Sequence, residues 1–206
     1  MKTTSIITGD IINSRNISAD AWLPILKTIF NTLGSTPKNW EVYRGDSFQL
    51  EVTPKEALKI CLLIKSGIKQ IANLDVRLAV GIGSKTFDAA TITESNGEAF
   101  INSGYAFDNL LKKQTLAIKS PWKEVNEELD VSVSLALLVM DDWTANSAEF
   151  VHASIQNPKK TQKEMGDILN ISQAGISKRR KRAGYEEIMK LENRYRKLIT
   201  KKIAEL

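Results

Sequence analysis

Two aspartates stand where a folded chain could use them to hold a divalent cation. Asp10 lies at the end of the first predicted strand, separated by Gly9 from a short β-branched run at residues 5–8, and Asp46 lies between two short predicted strands, next to Gly45. Two carboxylates held close together repel each other, and a Mg²⁺ or Mn²⁺ ion bound between them would compensate that charge. We therefore predict a metal site at Asp10 and Asp46, with separate turn or capping roles for the two aspartates as the alternative.

The residues around these aspartates suit a phosphate-bearing ligand. Gly9 and Gly45 have no side chain, so backbone N–H groups there are open to phosphate oxygens. Nearby basic side chains would add positive charge. The predicted nucleotide-contacting residues are Ile11, Asn13, Arg15, Arg44, Gly45 and Lys85.

A second pattern with chemical meaning lies near the end of the chain. Residues 161–170 and 173–182 each predict a short helix, and Gly166 stands where the two helices would cross closely. Together they predict a helix-turn-helix whose second helix enters the major groove of duplex DNA. Gln173 and Ser177 would read base edges, whereas the basic residues would bind phosphates. The predicted DNA-contacting residues are Ser172, Gln173, Ser177, Lys178, Arg179 and Lys181.

The distribution of charge agrees with a nucleic-acid-binding end. Residues 151–206 contain 14 basic and 6 acidic side chains, whereas residues 1–150 contain 15 basic and 18 acidic ones. A basic segment joined to a slightly acidic body indicates a module that binds a polyanion. The alternative is an ordinary helical hairpin with a solvated basic face.

The spacing of apolar residues predicts the elements that must position both groups. The first part reads as strand, helix, two strands, helix and strand, followed by a further helix and strand, which is typical of a ferredoxin-like sheet with helices on one face. In that arrangement the first and third strands are neighbours. The remainder is helical. We therefore predict an α+β protein with a palm-like domain at 1–128 and an all-α helix-turn-helix domain at 129–206.

Composition excludes several classes of protein. The single cysteine, Cys61, excludes an internal disulfide and a cysteine-cluster metal site, and His152 is the only histidine. Periodicity places both in helices, where we expect them to pack rather than react. The longest apolar stretch, near residues 135–140, is too short to cross a bilayer. We expect a cytoplasmic protein that does not insert into membranes.

The first half resembles the catalytic core of class III nucleotidyl cyclases. The resemblance is carried by Asp10 with Ile11, by Gly45-Asp46, and by the segment Arg77–Gly83. In that superfamily the matching aspartates hold two divalent ions against a nucleoside triphosphate. The resemblance also implies an asparagine and, one turn later, a phosphate-binding arginine. Asn102 matches the first, but Ala106 occupies the place of the arginine.

The whole chain resembles the SatD family, small bacterial proteins described as regulators, through residues 8–10, 44–48, 97–100 and 161–182. The family implies a DNA-binding output. We therefore predict a transcriptional regulator whose first domain senses a nucleotide or divalent metal, with duplex DNA as partner and a homodimer as its assembly. The alternatives are a metal-dependent nucleotidyltransferase or cyclase-like enzyme brought to DNA by its tail, and a scaffold without either activity.

Overall fold

The computed structural model describes residues 3–206, and over that range it is an α+β fold. The five strands are β1 (Thr3–Ile12), β2 (Trp40–Tyr43), β3 (Ser47–Val52), β4 (Asp75–Ser84) and β5 (Leu116–Lys119). The eight α-helices are α1 (Ala19–Asn31), α2 (Ala57–Ile68), α3 (Glu98–Asp108), α4 (Lys123–Met140), α5 (Ala145–Gln156), α6 (Gln162–Leu169), α7 (Gln173–Arg182) and α8 (Tyr185–Ala204). Short 3-10 turns occur at Ser14–Asn16, Pro54–Glu56 and Ile92–Glu94.

All five strands form one mixed sheet in the order β2-β3-β1-β4-β5. β1 is central and pairs antiparallel with β3 and β4, so the predicted neighbour relation of the first and third strands is confirmed. β5 pairs with β4 in parallel. The ten-residue pairing of β1 with β4 fixes which residues stand together at each end of the sheet.

Helices cover both faces of the sheet, and the expectation of helices on one face is wrong. Ile7 and Leu78 pack in the core that includes α1 and α2, whereas Ile6, the neighbour of Ile7 along β1, packs with Ala99 and Phe100 of α3. Alternate strand residues point to opposite faces, so α3 lies opposite α1 and α2. Gly81 allows this packing, because a Cβ there would stand 2.1 Å from the carbonyl oxygen of Ala99.

Helices α4–α8 follow the sheet and share its core. α2 packs against α5, and α4 packs against β5 and α8. The buried apolar residues of both parts of the chain form one continuous cluster. The boundary predicted between residues 128 and 129 falls inside α4, because that helix already begins at Lys123.

Local contacts define where helices α2 and α5 begin. Pro54–Glu56 form a 3-10 turn with no side-chain cap at Thr53, and α2 begins at Ala57. Helix α5 is capped by Thr144, whose hydroxyl oxygen accepts the N–H of Ser147. Cys61 is buried as expected, and burial raises the pKa of its thiol. Trp143 is buried as well. Among residues 3–206, no helix is long and apolar enough to cross a membrane.

Candidate functional site

A row of four polar side chains crosses the sheet on the face that carries α3. Strand register aligns Tyr43 of β2 with Ser47 of β3, Ser47 with Asp10 of β1, and Asp10 with Arg77 of β4. Residues paired across antiparallel strands project from the same face, so these four side chains stand together. The next row holds Glu41, Gln49, Thr8 and Ala79.

The strongest contact in the row is the ion pair of Asp10 and Arg77. Nε of Arg77 donates to Oδ1 of Asp10 at 2.9 Å, and a terminal nitrogen of the guanidinium donates to Oδ2. The hydrogen bond that Arg77 donates to Asp10 raises the pKa of Arg77, and the negative charge of Asp46 adds to that effect. Arg77 thus supplies positive charge to both aspartates.

Asp46 is fixed beside this pair by the chain that follows β1. Its carboxylate accepts the hydroxyl hydrogen of Ser14, and its backbone carbonyl oxygen accepts the N–H of Ile11 at 3.3 Å. The structure therefore brings the two predicted metal ligands to the same end of the sheet. Carboxylate oxygens suit Mg²⁺ or Mn²⁺, so Asp10 and Asp46 fit such an ion in type, although Arg77 engages both oxygens of Asp10.

Of the predicted nucleotide-contacting residues, the hairpin residues are exposed at this end. Arg44 and Gly45 form the turn between β2 and β3, where both residues have positive φ, 52° and 89° respectively. Glycine adopts a positive φ without steric cost, whereas this conformation is uncommon for a residue with a side chain such as Arg44. The exposed side chain of Arg44 also borders a surface cavity of about 390 Å³ lined with Glu41, Tyr43, Gln49 and Thr93.

The loop after β1 places its predicted residues differently. The side chain of Ile11 is buried in the core, which leaves only its backbone near the site. Asn13 has a φ of 65° and donates its side-chain amide to the carbonyl oxygen of Asn73 at 2.9 Å. Arg15 is exposed in the following 3-10 turn.

Lys85 does not belong to this site. It follows β4, whose end pairs with the beginning of β1, so it stands at the opposite end of the sheet from Asp10. Lys85 lies eight positions after Arg77, which is roughly 26 Å along an extended chain. There it pairs with Glu51 at 2.8 Å and with Asp88. Its predicted role beside Asp10 and Asp46 is therefore wrong.

Sequence reasoning missed Arg77, Ser14 and Tyr43 as members of this site. Burial raises the pKa of Tyr43, the negative charges of Asp10 and Glu41 raise it further, and Arg44 opposes the shift. The signal that could have found Arg77 is its position as the exposed charged residue inside an otherwise apolar strand. Pairing that residue with Asp10 requires the register of two strands far apart in sequence.

The structure also shows the surroundings of Ala106, the position at which the cyclase resemblance implies an arginine. Ala106 is buried in α3, and Asn102 donates its side-chain amide to the carbonyl oxygen of Ile82 at 2.8 Å rather than facing a ligand. The guanidinium of Arg77 lies 5.6 Å from the centre of the ring of Phe107, which is the residue after Ala106 in α3.

The second candidate site is formed by α6, α7 and the turn between them. Thr161 and Glu164 make a reciprocal capping box at the beginning of α6, and Asn170 ends that helix with a φ of 51°. Ser172 caps α7 by accepting the N–H of Gly175 at 3.2 Å. Gly166 permits the tight turn, because a Cβ there would lie 2.7 Å from the carbonyl oxygen of Ile171.

Helix α7 buries one residue and leaves most of its polar side chains in solvent. Ile176 is fully buried between α5 and α6, which fixes the rotation of the helix. The face turned to solvent carries five of the six predicted DNA-contacting residues and one additional arginine: Ser172, Gln173, Ser177, Lys178, Lys181 and Arg182.

Arg179 lies on a different side of α7, contrary to its predicted place on the exposed face. Its guanidinium pairs with Glu149 of α5, and its side chain is only 20% exposed. Arg180 pairs with Glu186 and lies 5.8 Å from the centre of the Tyr185 ring. Both arginines therefore hold α7 against neighbouring helices.

No protein-family profile matches the sequence, and no curated protein matches it significantly. Within residues 3–206, no cluster of three or more histidine, cysteine, aspartate or glutamate side chains is arranged to hold a metal ion.

Proposed function

We propose that the protein binds duplex DNA through α7 and acts as a transcriptional regulator. The observation that supports this proposal most directly is the exposed face of α7, which begins with Ser172 and Gln173 and continues into Lys178, Lys181 and Arg182. In a helix-turn-helix, residues near the beginning of the second helix contact base edges, and basic residues further along neutralise phosphates.

The geometry of α6 and α7 also supports this reading. Two short helices joined by a tight turn and packed on a third helix are the arrangement that a helix-turn-helix requires. No acidic residue lies within α7, so nothing on that helix opposes a polyanion. As part of this proposal, the first part of the chain is a palm-like domain and the helices at its end form a helix-turn-helix.

The test is the binding of a mixed-sequence DNA duplex, followed by fluorescence anisotropy over a range of KCl concentrations. We expect affinity to fall steeply with salt, because bound cationic side chains release counterions from the phosphates. Lys178→Gln should weaken binding and reduce the slope of log affinity against log salt by about 1. Lys27→Gln, on the exposed side of α1, is the matched control.

Arg179→Gln separates this proposal from a purely structural basic helix. Because Arg179 pairs with Glu149, its loss should lower the stability of the fold while leaving the salt slope of DNA binding near that of the unmodified protein. An unmodified protein that fails to bind DNA at low salt would overturn the proposal.

A second candidate function, the binding of a divalent cation with a nucleotide, is favoured by the convergence of Asp10 and Asp46 beside Arg77. The residues that would hold Mg²⁺ or Mn²⁺ are these two aspartates, and the ion would neutralise phosphate charge when bound. A cyclase-like or nucleotidyltransferase enzyme is the stronger form of this proposal. Incubation with each nucleoside triphosphate and Mn²⁺ tests it, and a product lost in Asp10→Asn supports turnover.

The homodimer stays a prediction. Helix α8 has apolar residues at helical spacing, but Ile188, Tyr195 and Ile199 are buried against the same chain and are not free to contact a second copy. Tyr195 also donates its hydroxyl hydrogen to the carbonyl oxygen of Pro54 at 2.6 Å. Sedimentation equilibrium measures the oligomeric state directly.

A further inference from the structure

We infer that a cavity between the turn after α2 and the beginning of α5 binds a small uncharged ring compound. The cavity has a volume of about 360 Å³, which lies within the range of small-molecule sites in proteins. Its lining contains none of the residues predicted to contact a metal, a nucleotide or DNA. Its occupancy can therefore be tested without reference to either proposed function.

The two walls of the cavity come from parts of the chain that are distant in sequence. One wall is the turn at residues 71–74, where Ile71 is partly buried and Leu74 is buried. The other wall is the joint between α4 and α5, where Trp143 is buried and Ala145 is exposed. The cavity exists only while these two parts are packed together. A ligand that fills it therefore binds the folded protein and not the unfolded chain.

The charged groups beside the cavity are already paired with one another. Nζ of Lys69 lies 3.0 Å from Oδ2 of Asp75 and donates to the carbonyl oxygen of Asp141 at 2.7 Å. Oδ1 of Asp75 pairs with Nζ of Lys65 at 2.7 Å. An ionic ligand would have to break one of these contacts or keep its own charge without a partner, and both are costly away from water. Paired charges beside apolar walls therefore favour an uncharged ligand.

Both walls are held in place by hydrogen bonds that a ligand need not disturb. The indole N–H of Trp143 donates to the carbonyl oxygen of Ala183, and the carbonyl oxygen of Asn73 accepts the side-chain amide of Asn13. A cavity with fixed walls binds a ligand without the entropic cost of ordering them. A flat ring that contacts Trp143 and the opposite turn would also hold the two parts of the chain together.

The experiment measures three probes on the full chain by isothermal titration calorimetry: free indole, its anionic derivative indole-3-acetate and its cationic derivative tryptamine. We expect indole to bind, and each charged derivative to bind about tenfold more weakly. Thermal unfolding followed by circular dichroism gives a second readout. Indole at about a hundredfold excess over its Kd should raise the unfolding midpoint by about 5–10 °C.

Two exposed alanines on opposite walls allow the cavity to be filled without disturbing the core. Ala145→Phe and Ala72→Phe should each weaken indole binding by about tenfold or more, because the added ring occupies the cavity. Ala19→Phe is the matched control, since Ala19 is the exposed first residue of α1 just as Ala145 is the exposed first residue of α5. The control should bind indole as the unmodified protein does.

The other outcomes overturn specific parts of the inference. An unmodified protein that does not bind indole overturns it entirely. Equal indole affinity in all three phenylalanine variants places the probe elsewhere and overturns this site. Tighter binding of either charged derivative than of indole overturns the uncharged class of ligand. Circular dichroism verifies that each variant is folded, and Ala72→Phe carries the test if Ala145→Phe is not.

Discussion

Trp143 donates its indole N–H to the carbonyl oxygen of Ala183 at 2.9 Å, and both residues are buried. Trp143 follows α4, whereas Ala183 directly follows Arg182, the last residue of α7. The hydrogen bond therefore ties the end of the proposed recognition helix to the segment that connects it with the sheet.

Trp143→Phe should loosen this connection. Phenylalanine keeps most of the apolar contact but leaves the carbonyl oxygen of Ala183 without its donor, so we expect a loss of about 1–3 kcal/mol in the free energy of unfolding. Urea unfolding measures the loss, and DNA titration should show weaker binding at temperatures near the transition. Stability equal to that of the unmodified protein would mean that this hydrogen bond contributes nothing.

The turn between α6 and α7 gives a prediction with an internal control. Gly166→Ala should destabilise the protein by about 1–3 kcal/mol, because its methyl group would meet the carbonyl oxygen of Ile171. Gly104→Ala in α3 should stabilise it by up to about 1 kcal/mol, since a Cβ there meets nothing within 4 Å. Thermal unfolding of the two variants compares them, and shifts of the same sign would contradict the close contact at Gly166.

A buried ammonium joins the sheet to α4. Nζ of Lys65 lies 2.7 Å from Oδ1 of Asp75 and 2.8 Å from Oδ1 of Asp141, and it also donates to the hydroxyl of Thr115 at 3.0 Å. The Lys65 side chain is only 1% exposed. Two carboxylates and one hydroxyl thus satisfy all three of its protons.

Lys65→Met should cost about 3–5 kcal/mol, because the side chain keeps its length while the two carboxylates lose their shared cation. Lys59→Met is the matched control: Lys59 is partly exposed and its Nζ lies 3.9 Å from Glu56, so its loss should cost about 0–1 kcal/mol. Denaturant unfolding gives both values. Equal losses would show that the Lys65 cluster stabilises the fold no more than a surface pair does.

His152 predicts a pH dependence of stability. Burial lowers its pKa, only partly opposed by the carbonyl oxygen of Leu63, which lies 3.2 Å from Nδ1. The imidazole of His152 therefore binds a proton more readily in the unfolded chain than in the folded protein. The contribution of neutral His152 to the free energy of unfolding is fully present above its ordinary pKa of 6.5. It is lost as the pH falls through that value toward the lower pKa of the folded protein.

The measurement is urea unfolding at pH 7.5 and 5.5, in the unmodified protein and in His152→Gln. Since the sequence has one histidine, this window isolates its effect. We expect the unmodified protein to lose more stability than the variant on acidification. A proton-resonance titration giving a pKa above 6.5 would contradict the burial argument.

Several features could be predicted from sequence because local pattern determines them. The order of strands and helices followed from apolar spacing, and helix α7 begins at Gln173 and ends at Arg182 as predicted, since a serine cap and a following glycine bound it. The neighbouring of β1 and β3 followed from the handedness of strand connections. These features depend on short stretches of chain.

The remainder depends on partners distant in sequence. Arg179 belongs to a basic run, and only Glu149 on α5 shows that it faces inward. Lys85 was grouped with Asp10 by charge, whereas the antiparallel pairing of β1 with β4 carries it to the other end of the sheet. The pairing of Asp10 with Arg77 likewise appears only with strand register. Periodicity assigns faces, but it does not choose which face meets which.

The α2–α5 contact has a consequence for anyone dividing this protein. His152 of α5 lies against Leu63 of α2, and Tyr195 of α8 reaches Pro54, so the helices and the sheet each complete the other's interior. A fragment ending at residue 128 would expose the side of α2 that α5 now covers, and the excised remainder would begin within α4. We therefore expect neither fragment to fold as an independent domain. Fusions or truncations intended to isolate one activity should therefore keep the chain whole and silence the other activity by substitution.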